Sequence, residues 1–202
     1  IKSCVDGYEG FVDPKQLQPL SKEECERWNN EYCFFKPIEG QVIINKESHR
    51  IPRGSFVGKE NLFFIGKHQY QNLSTEVNLS LWETANEYLN TPYLWGGKSI
   101  LGIDCSGFSQ QVYGLSGYKI PRDAYQQEAI GETISYEKRS SSDLVFFSKN
   151  KRIHHVGILI NKNQIIHASG QVRIDEFTKK GIIHNKNKEL THRFHSIKRI
   201  VE

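Results

Sequence analysis

The order of its sequence patterns predicts an α+β fold, with helices packed on an antiparallel sheet and small all-β barrel material ahead of them. Three observations carry that expectation. From about residue 78 onward, helical patterns come first and strand patterns follow, without the alternation of a parallel sheet. The closing stretches "DLVFFS", "HHVGILI", "QIIHAS", "VRIDEF" and "HSIKRIV" are short and rich in β-branched and aromatic residues. Residues 38 to 72 carry further β-type patches, "GQVIIN", "GSFVG" and "NLFFIG", separated by glycine and by Pro52.

Each element has a local reason. In residues 1–20, "DG" between Val5 and "YEGFV" is a hairpin-turn signal, and Pro14 ends the run. Ser21 and Glu24 form a capping box ahead of a short helix, "SKEECERWNNEY". "QYQNLSTEVN" reads as the linker to the next part. A second capping box, Ser80 and Glu83, opens a helix that runs to about Tyr88. "TPYLWGGKS" breaks it with Pro92 and paired glycines. A helix follows from Cys105, with Phe108, Val112 and Leu115 as its apolar stripe. "PRDAYQQEAIG" reads as a short helix with Pro121 at its front. The expected domains are therefore 1–20, 21–77 and 78–202.

The totals exclude several classes. With 202 residues, 37% hydrophobic and 25% charged, the chain can build a real core. No run of eighteen apolar residues exists, so no transmembrane helix is expected. Residues 1–20 lack the pattern of a signal peptide. The chain starts at Ile1 and holds no methionine, so a leader removed earlier is compatible with it. Net charge is only +4. The lysines of "KKGIIHNKNK", residues 179 to 188, are not interleaved with aromatics, so a solvated loop is expected there and no nucleic-acid partner. Four cysteines without a C-x-x-C pair give no support to a structural zinc site. Cys4, Cys25 and Cys33 read as small buried apolar side chains. No cofactor or metal is expected.

Cys105 stands apart. It lies between Asp104 and Ser106 at a helix start, ahead of the apolar stripe, where backbone N–H groups are unpaired. A thiol acts as a nucleophile only as thiolate, and a helix start and a nearby imidazolium both favour that form. The imidazole has to come from elsewhere in the chain. Strand alternation separates His154 from His155, which shares a face with Gly157 and Leu159. Gly157 leaves room beside His155 for a ligand or another backbone. If "HHVGILI" and "QIIHASG" pair as a hairpin, His167 comes within reach of His155. A polar group that holds the base imidazole completes the logic of a triad.

The ordered set "YLWGG", "GIDCSGF", "IPRDAYQQ", "DLVFF", "HHVGI" and "IIHASG" resembles the NlpC-type cell-wall cysteine peptidases, a compact papain-like family. The likeness covers roughly residues 78 to 202. It implies hydrolysis of a bond between the γ-carboxyl of D-glutamate and a diamino acid, meso-diaminopimelate or L-lysine, in murein peptides. It implies Cys105 as nucleophile, His155 as base and His167 as the orienting group. Tyr93 joins the Cys105 N–H at the oxyanion hole. "GYEGFVDPKQL" is similar to the end of the bacterial SH3-like modules attached to some members, and residues 38–72 match such a module more loosely. In the subgroup with this layout a free N-terminal L-Ala is recognised. The resemblance then implies that Asp104 and Asp123 hold the ammonium, Ser106 and Arg122 shape the pocket, and Trp95 lines the groove.

Two departures accompany the likeness. Ser142 stands where a glycine usually precedes "DLVFF", and Ala124 where some relatives carry a serine. The implied partner is a murein-derived peptide, the expected form a monomer. The expected compartment is the cytoplasm, or the periplasm or envelope if a leader was removed. Two other classes fit the same layout: an inactive wall-peptide binder, and a thiol amidase or acyltransferase.

Overall fold

The computed structural model describes residues 1–73 and 78–200. The chain divides into two compact units, Ile1–Asn78 and Leu79–Glu202. Residues 74–77 of the expected linker lie outside the described residues.

In the first unit, Ser21 caps α1 (Lys22–Glu31) through the reciprocal bonds of a capping box with Glu24. Strands β1 (Tyr32–Phe34) and β4 (Phe56–Gly58) form a two-stranded ribbon. Strands β2 (Glu39–Ile44), β3 (Glu47–Pro52), β5 (Leu62–Ile65) and β6 (His68–Asn72) form an antiparallel sheet in the order β3-β2-β6-β5. Phe35, Val42, Val57 and Phe63 make its core, with Trp28 and Tyr70 packed against them.

The hairpin expected in residues 1–20 is present in minimal form: Lys2 bridges Glu9 antiparallel, flanked by Ser3 N–H to the Tyr8 carbonyl and Gly10 N–H to the Ile1 carbonyl, around a turn with Gly7 at φ +71°. Phe11, just past it, is fully exposed. The expectation that Cys4, Cys25 and Cys33 are buried fails. Cys4 and Cys25 are exposed and Cys33 half-buried. Cys25 lies on α1, which has no buried residue at all.

The second unit opens with α2 (Leu81–Asn86), capped by Ser80 and Glu83. A short ribbon, β7 (Lys98–Ser99) with β8 (Gly102–Ile103), leads into α3 (Cys105–Leu115). Helix α4 (Ala124–Glu128) and β9 (Glu132–Thr133) follow. Then come β10 (Leu144–Lys149), β11 (Arg152–Asn161), β12 (Gln164–Ser169), β13 (Gln171–Thr178), β14 (Gly181–Ile183) and β15 (Leu190–Arg199). Each of these six pairs antiparallel with the next, and β15 returns to pair with β10. The antiparallel sheet is therefore closed into a six-stranded barrel, with β9 added beside β15. Closure leaves none of the six with an unpaired edge.

The barrel depends on a strand that the lysine run conceals. Gly181 and Ile182 of "KKGIIHNKNK" are buried, and β14 bridges β13 and β15. Val145, Phe147, Leu159, Ile165, Phe177, Ile182 and Ile197 pack together on one face of the strands. Their neighbours in alternation, Phe146, Val156, Ile158 and Ile166, are buried as well, and α3 packs on β11 and β12. Burial on both faces explains the unbroken apolar runs of β10 and β11. Each such side chain contributes about 1.5–3 kcal/mol. Every residue of α3 except Gly114 is buried, so the stripe read from sequence is only part of its packed surface.

Candidate active site

The site joins the start of α3 to one end of the barrel. On the α3 side, two glycine motifs lock the backbone. Gly96, at φ +80°, donates its N–H to Asp104 Oδ2 at 2.8 Å. A Cβ on Gly107 would lie 2.4 Å from the Gly97 carbonyl oxygen, so "WGG" and "DCSG" fit only because both positions lack side chains. Asp104 is the N-cap of α3, accepting from Gly107 N–H at 2.6 Å. Its carboxylate also takes both Nη atoms of Arg122, at 2.9 and 2.6 Å. Ser106 Oγ accepts from the same guanidinium at 2.9 Å. Burial pushes the Asp104 carboxyl up, but the Arg122 and Gly107 hydrogen bonds outweigh it and the net shift is down.

Cys105 is the first residue of α3 and 6% exposed. The backbone N–H groups of Val156, Ser106 and Cys105 itself face its sulfur and favour the thiolate. Val156 follows His155 directly in β11, which places the thiol beside the histidine-bearing strand. Burial nevertheless dominates, and with the Asp104 charge it raises the thiol to about 11. Desolvation and the Asp104 charge thus oppose the help of the helix start, the tension expected of a carboxylate beside the thiol.

On the barrel side, the hairpin of β11 and β12 forms as expected, with Ile158 opposite Ile166. His155 and His167 meet ring nitrogen to ring nitrogen, Nε2 to Nδ1, at 2.8 Å. The space beside Gly157 is filled by β12 itself: a Cβ there would lie 2.9 Å from the His167 Cβ and 2.8 Å from Ile165 Cδ1. His167 Nε2 donates in turn to Asp175 Oδ2 at 3.0 Å, and Arg173 Nε donates to the same oxygen at 2.8 Å. The Asn185 N–H donates to Asp175 Oδ1 at 3.0 Å. His192, from β15, lies flat on His155, with ring centroids 4.0 Å apart and planes 23° apart. Burial first, and then the neighbouring imidazoles, hold His155 well below its ordinary value. Burial lowers His167 too, with Asp175 opposing.

Both shifts favour the uncharged forms, a thiol at Cys105 and a neutral imidazole at His155. Tyr93, half-buried, is raised to about 12 by burial and then by Cys105 and Asp104, so its phenol keeps its proton and faces the same charges. Trp95 is 84% exposed. Asp123 is the N-cap of α4, half-buried.

Ring nitrogens of His155, His167 and His192 lie within 4.8 Å of one another, yet the arrangement fits a metal poorly. His155 and His167 already share a proton. The near-parallel stack of His155 and His192 sends their lone pairs side by side, whereas a metal needs them to converge.

Asp175, Arg173 and His192 are absent from the sequence reading. Asp175 had a signal: counting back from the turn at Gly170 pairs His167 with Arg173 and puts Asp175 two residues further along the same face. His192 had none, because it depends on the return of β15 to the barrel.

A cysteine at the first turn of α3, met by the backbone of the strand that carries a hydrogen-bonded imidazole pair, is the arrangement to compare with known proteins. A sequence profile of the NlpC/P60 family matches residues 90–190, and the chain belongs to that family. The γ-D-glutamyl-L-lysine dipeptidyl-peptidase of Bacillus subtilis is 38% identical over 180 residues, spanning 80% of this chain and 60% of that protein. The protein of the same name from Bacillus cereus is 36% identical, spanning 81% of this chain and 57% of that one. The murein DD-endopeptidase MepS/murein LD-carboxypeptidase of Escherichia coli K12 is 31% identical, spanning 62% of this chain and 69% of that protein. The chain thus covers about 60% of the length of the two Bacillus relatives. Among solved structures, an NlpC/P60 family protein from Bacillus cereus superimposes with a TM-score of 0.67 at 23% identity, covering 88% of this chain and 66% of that one. That likeness concerns the fold.

Proposed function

We propose that the chain is a cysteine endopeptidase that hydrolyses the bond between the γ-carboxyl of D-glutamate and a diamino acid in murein peptides. The observation that carries this reading is the thiol of Cys105, met by backbone N–H groups that include Val156, the residue after His155, on the strand that pairs His155 with His167. The names of the two Bacillus relatives support the bond type. Cys105 attacks the carbonyl, and His155 takes its proton and returns it to the leaving amine. His167 holds His155. The Cys105 N–H and the Tyr93 hydroxyl receive the oxyanion.

A free N-terminal L-Ala would bring an ammonium to the cleft. The Asp104 lone pairs are spent on Arg122, Gly96 and Gly107, so the carboxylate for that ammonium is Asp123. Asp104, Ser106 and Arg122 form the rigid wall behind it, and Trp95 the open side of the groove. Residues 1–73 are read as SH3-like material serving this peptidase unit, and free stem peptides as substrates place the protein in wall turnover.

Incubation with L-Ala-γ-D-Glu-L-Lys or its diaminopimelate counterpart, under reducing conditions, is expected to release L-Ala-D-Glu. Cys105→Ala is expected to bring release to background, a loss of roughly 10⁴-fold or more. Full activity in that variant, or transfer of the acyl group without hydrolysis, would refute the reading. Acetylating the alanine is expected to raise KM, and in Asp123→Asn this difference should vanish.

A further inference from the structure

We propose that Asp175 is a positioning residue: through His167 it decides which nitrogen of His155 carries the proton and which is left free to accept one. The inference rests on the peptidase reading for its catalytic meaning, but its structural content does not.

The argument is one of donors and acceptors. The Asp175 side chain is 2% exposed and receives three N–H groups, from Arg173 Nε, Asn185 N and His167 Nε2. Burial alone would protonate it, yet these donors depress it far below the usual carboxylate range. An ionised carboxylate only accepts, so the proton of His167 sits on Nε2. His167 is fully buried and held neutral, so its Nδ1 carries a lone pair. That lone pair lies 2.8 Å from His155 Nε2, so the His155 proton sits on Nε2. His155 is likewise held neutral. What remains is a lone pair on His155 Nδ1, on the other side of the ring from His167. This is the nitrogen that can take the proton from Cys105. In that step the S–H bond breaks as the Nδ1–H bond forms, and the sulfur's electron pair goes to the substrate carbonyl carbon. The carbonyl π pair moves to oxygen. No proton has to pass beyond His155, whose new charge is met by the His167 lone pair and, behind it, Asp175.

Reversing the chain shows what Asp175 prevents. If His167 carried its proton on Nδ1, it would donate to His155 Nε2. The His155 proton would then sit on Nδ1, leaving no lone pair there to accept one. Asp175→Asn together with Arg173→Leu creates the conditions for that reversal. The Asn185 and Arg173 N–H groups each demand an oxygen, one at each end of the side chain. An amide supplies one oxygen only. While Arg173 is present the oxygen favours the Oδ2 place, where it accepts from both Arg173 and His167 and keeps the wild-type tautomers; with Arg173→Leu added, the oxygen turns to Asn185, the NH₂ donates to His167 Nε2 and the tautomers flip.

The test is long-range ¹⁵N–¹H NMR of the full chain with ¹⁵N-labelled histidine, together with kinetics on the tripeptide. In wild type, His155 is expected protonated on Nε2 with a bare Nδ1, and His167 protonated on Nε2. In Asp175→Asn/Arg173→Leu both rings are expected to shift toward Nδ1–H, with kcat falling roughly 10²–10⁴-fold and KM little changed. Asp175→Glu should restore the wild-type pattern in part. A wild-type His155 protonated on Nδ1 would overturn the proposal, and so would an Asp175→Asn/Arg173→Leu protein with unchanged tautomers and unchanged kcat. The wild-type spectrum decides even if the variant fails to fold, and it needs no substrate. An inactive protein with the expected tautomers would therefore refute the peptidase reading and not this one.

Discussion

The start of α3 and the histidine-bearing strands each hold a buried carboxylate, and they use it differently. At the start of α3, Asp104 is satisfied by Arg122 and by backbone N–H groups. None of these donors gives up its proton near neutral pH, so Asp104 fixes shape. At the barrel end, Asp175 is satisfied by Arg173, by one backbone N–H and by an imidazole. The imidazole donor has a second nitrogen whose state follows from the first, so Asp175 carries chemical information across two rings. A buried carboxylate is therefore not by itself a sign of catalysis. The kind of donor that meets it separates a brace from a relay.

The largest expected effect on stability comes from breaking the brace. Arg122→Ala leaves Asp104 buried and unpaired, which costs about 3–5 kcal/mol. Denaturant melts should show the loss, and activity should fall with it because the first turn of α3 is no longer held. A loss below about 1 kcal/mol would mean that the Gly96 and Gly107 N–H groups alone support the charge. Asp104→Asn should cost a similar amount, since it strands the buried Arg122 charge and turns an NH₂ toward one of the two pairs of donors.

Gly157→Ala probes the relay side by volume. The added Cβ would meet Ile165 and His167 at under 3 Å, and overpacking of this kind costs roughly 1–3 kcal/mol. Because one of the crowded groups is His167, kcat should fall further than stability suggests. An activity unchanged at the wild-type level would show that β12 can shift without breaking the His155–His167 contact.

This glycine also shows how much could be read from the sequence. Strand alternation, the hairpin and the helix start were each legible, because they follow from local periodicity and turn chemistry. They brought Cys105, His155 and His167 to one region. What stayed hidden was what depends on closure. The barrel needs β14, two buried residues inside a lysine-rich run, and only closure brings His192 from β15 onto His155. The burial of the thiol was hidden as well. A helix start announces itself in sequence, whereas the burial that opposes it at Cys105 does not.

The relay side should also show itself in acid. His192 is lowered from 6.5 to about 3 by burial and then by His167, His154 and Arg173, with Asp175 opposing. The unfolded chain therefore binds a proton between about pH 6.5 and 3 that the folded chain refuses. Stability contributed by the neutral ring is present above 6.5 and lost as pH falls through that window. His155 and His167 act in the same direction. Thermal melts from pH 7 to 4 should show a falling Tm, less steeply in His192→Phe, which keeps the stacked ring and removes the titration. Equal slopes would mean that His192 is protonated in the folded protein at little expense.

The smallest effect concerns Ser142, in the turn ahead of β10. Its φ is +69°, in the left-handed region, and the turn is held by its N–H to the Leu159 carbonyl at 2.8 Å and by the Tyr113 hydroxyl, which donates to its own carbonyl. The neighbours thus impose a conformation that a Cβ resists. Ser142→Gly should stabilise the chain by about 1 kcal/mol, strain relief exceeding the added freedom of the unfolded state. Because the turn leads into β10, away from both carboxylates, kcat should not change. A destabilised Ser142→Gly protein would show that the serine side chain contributes more than its backbone strain removes.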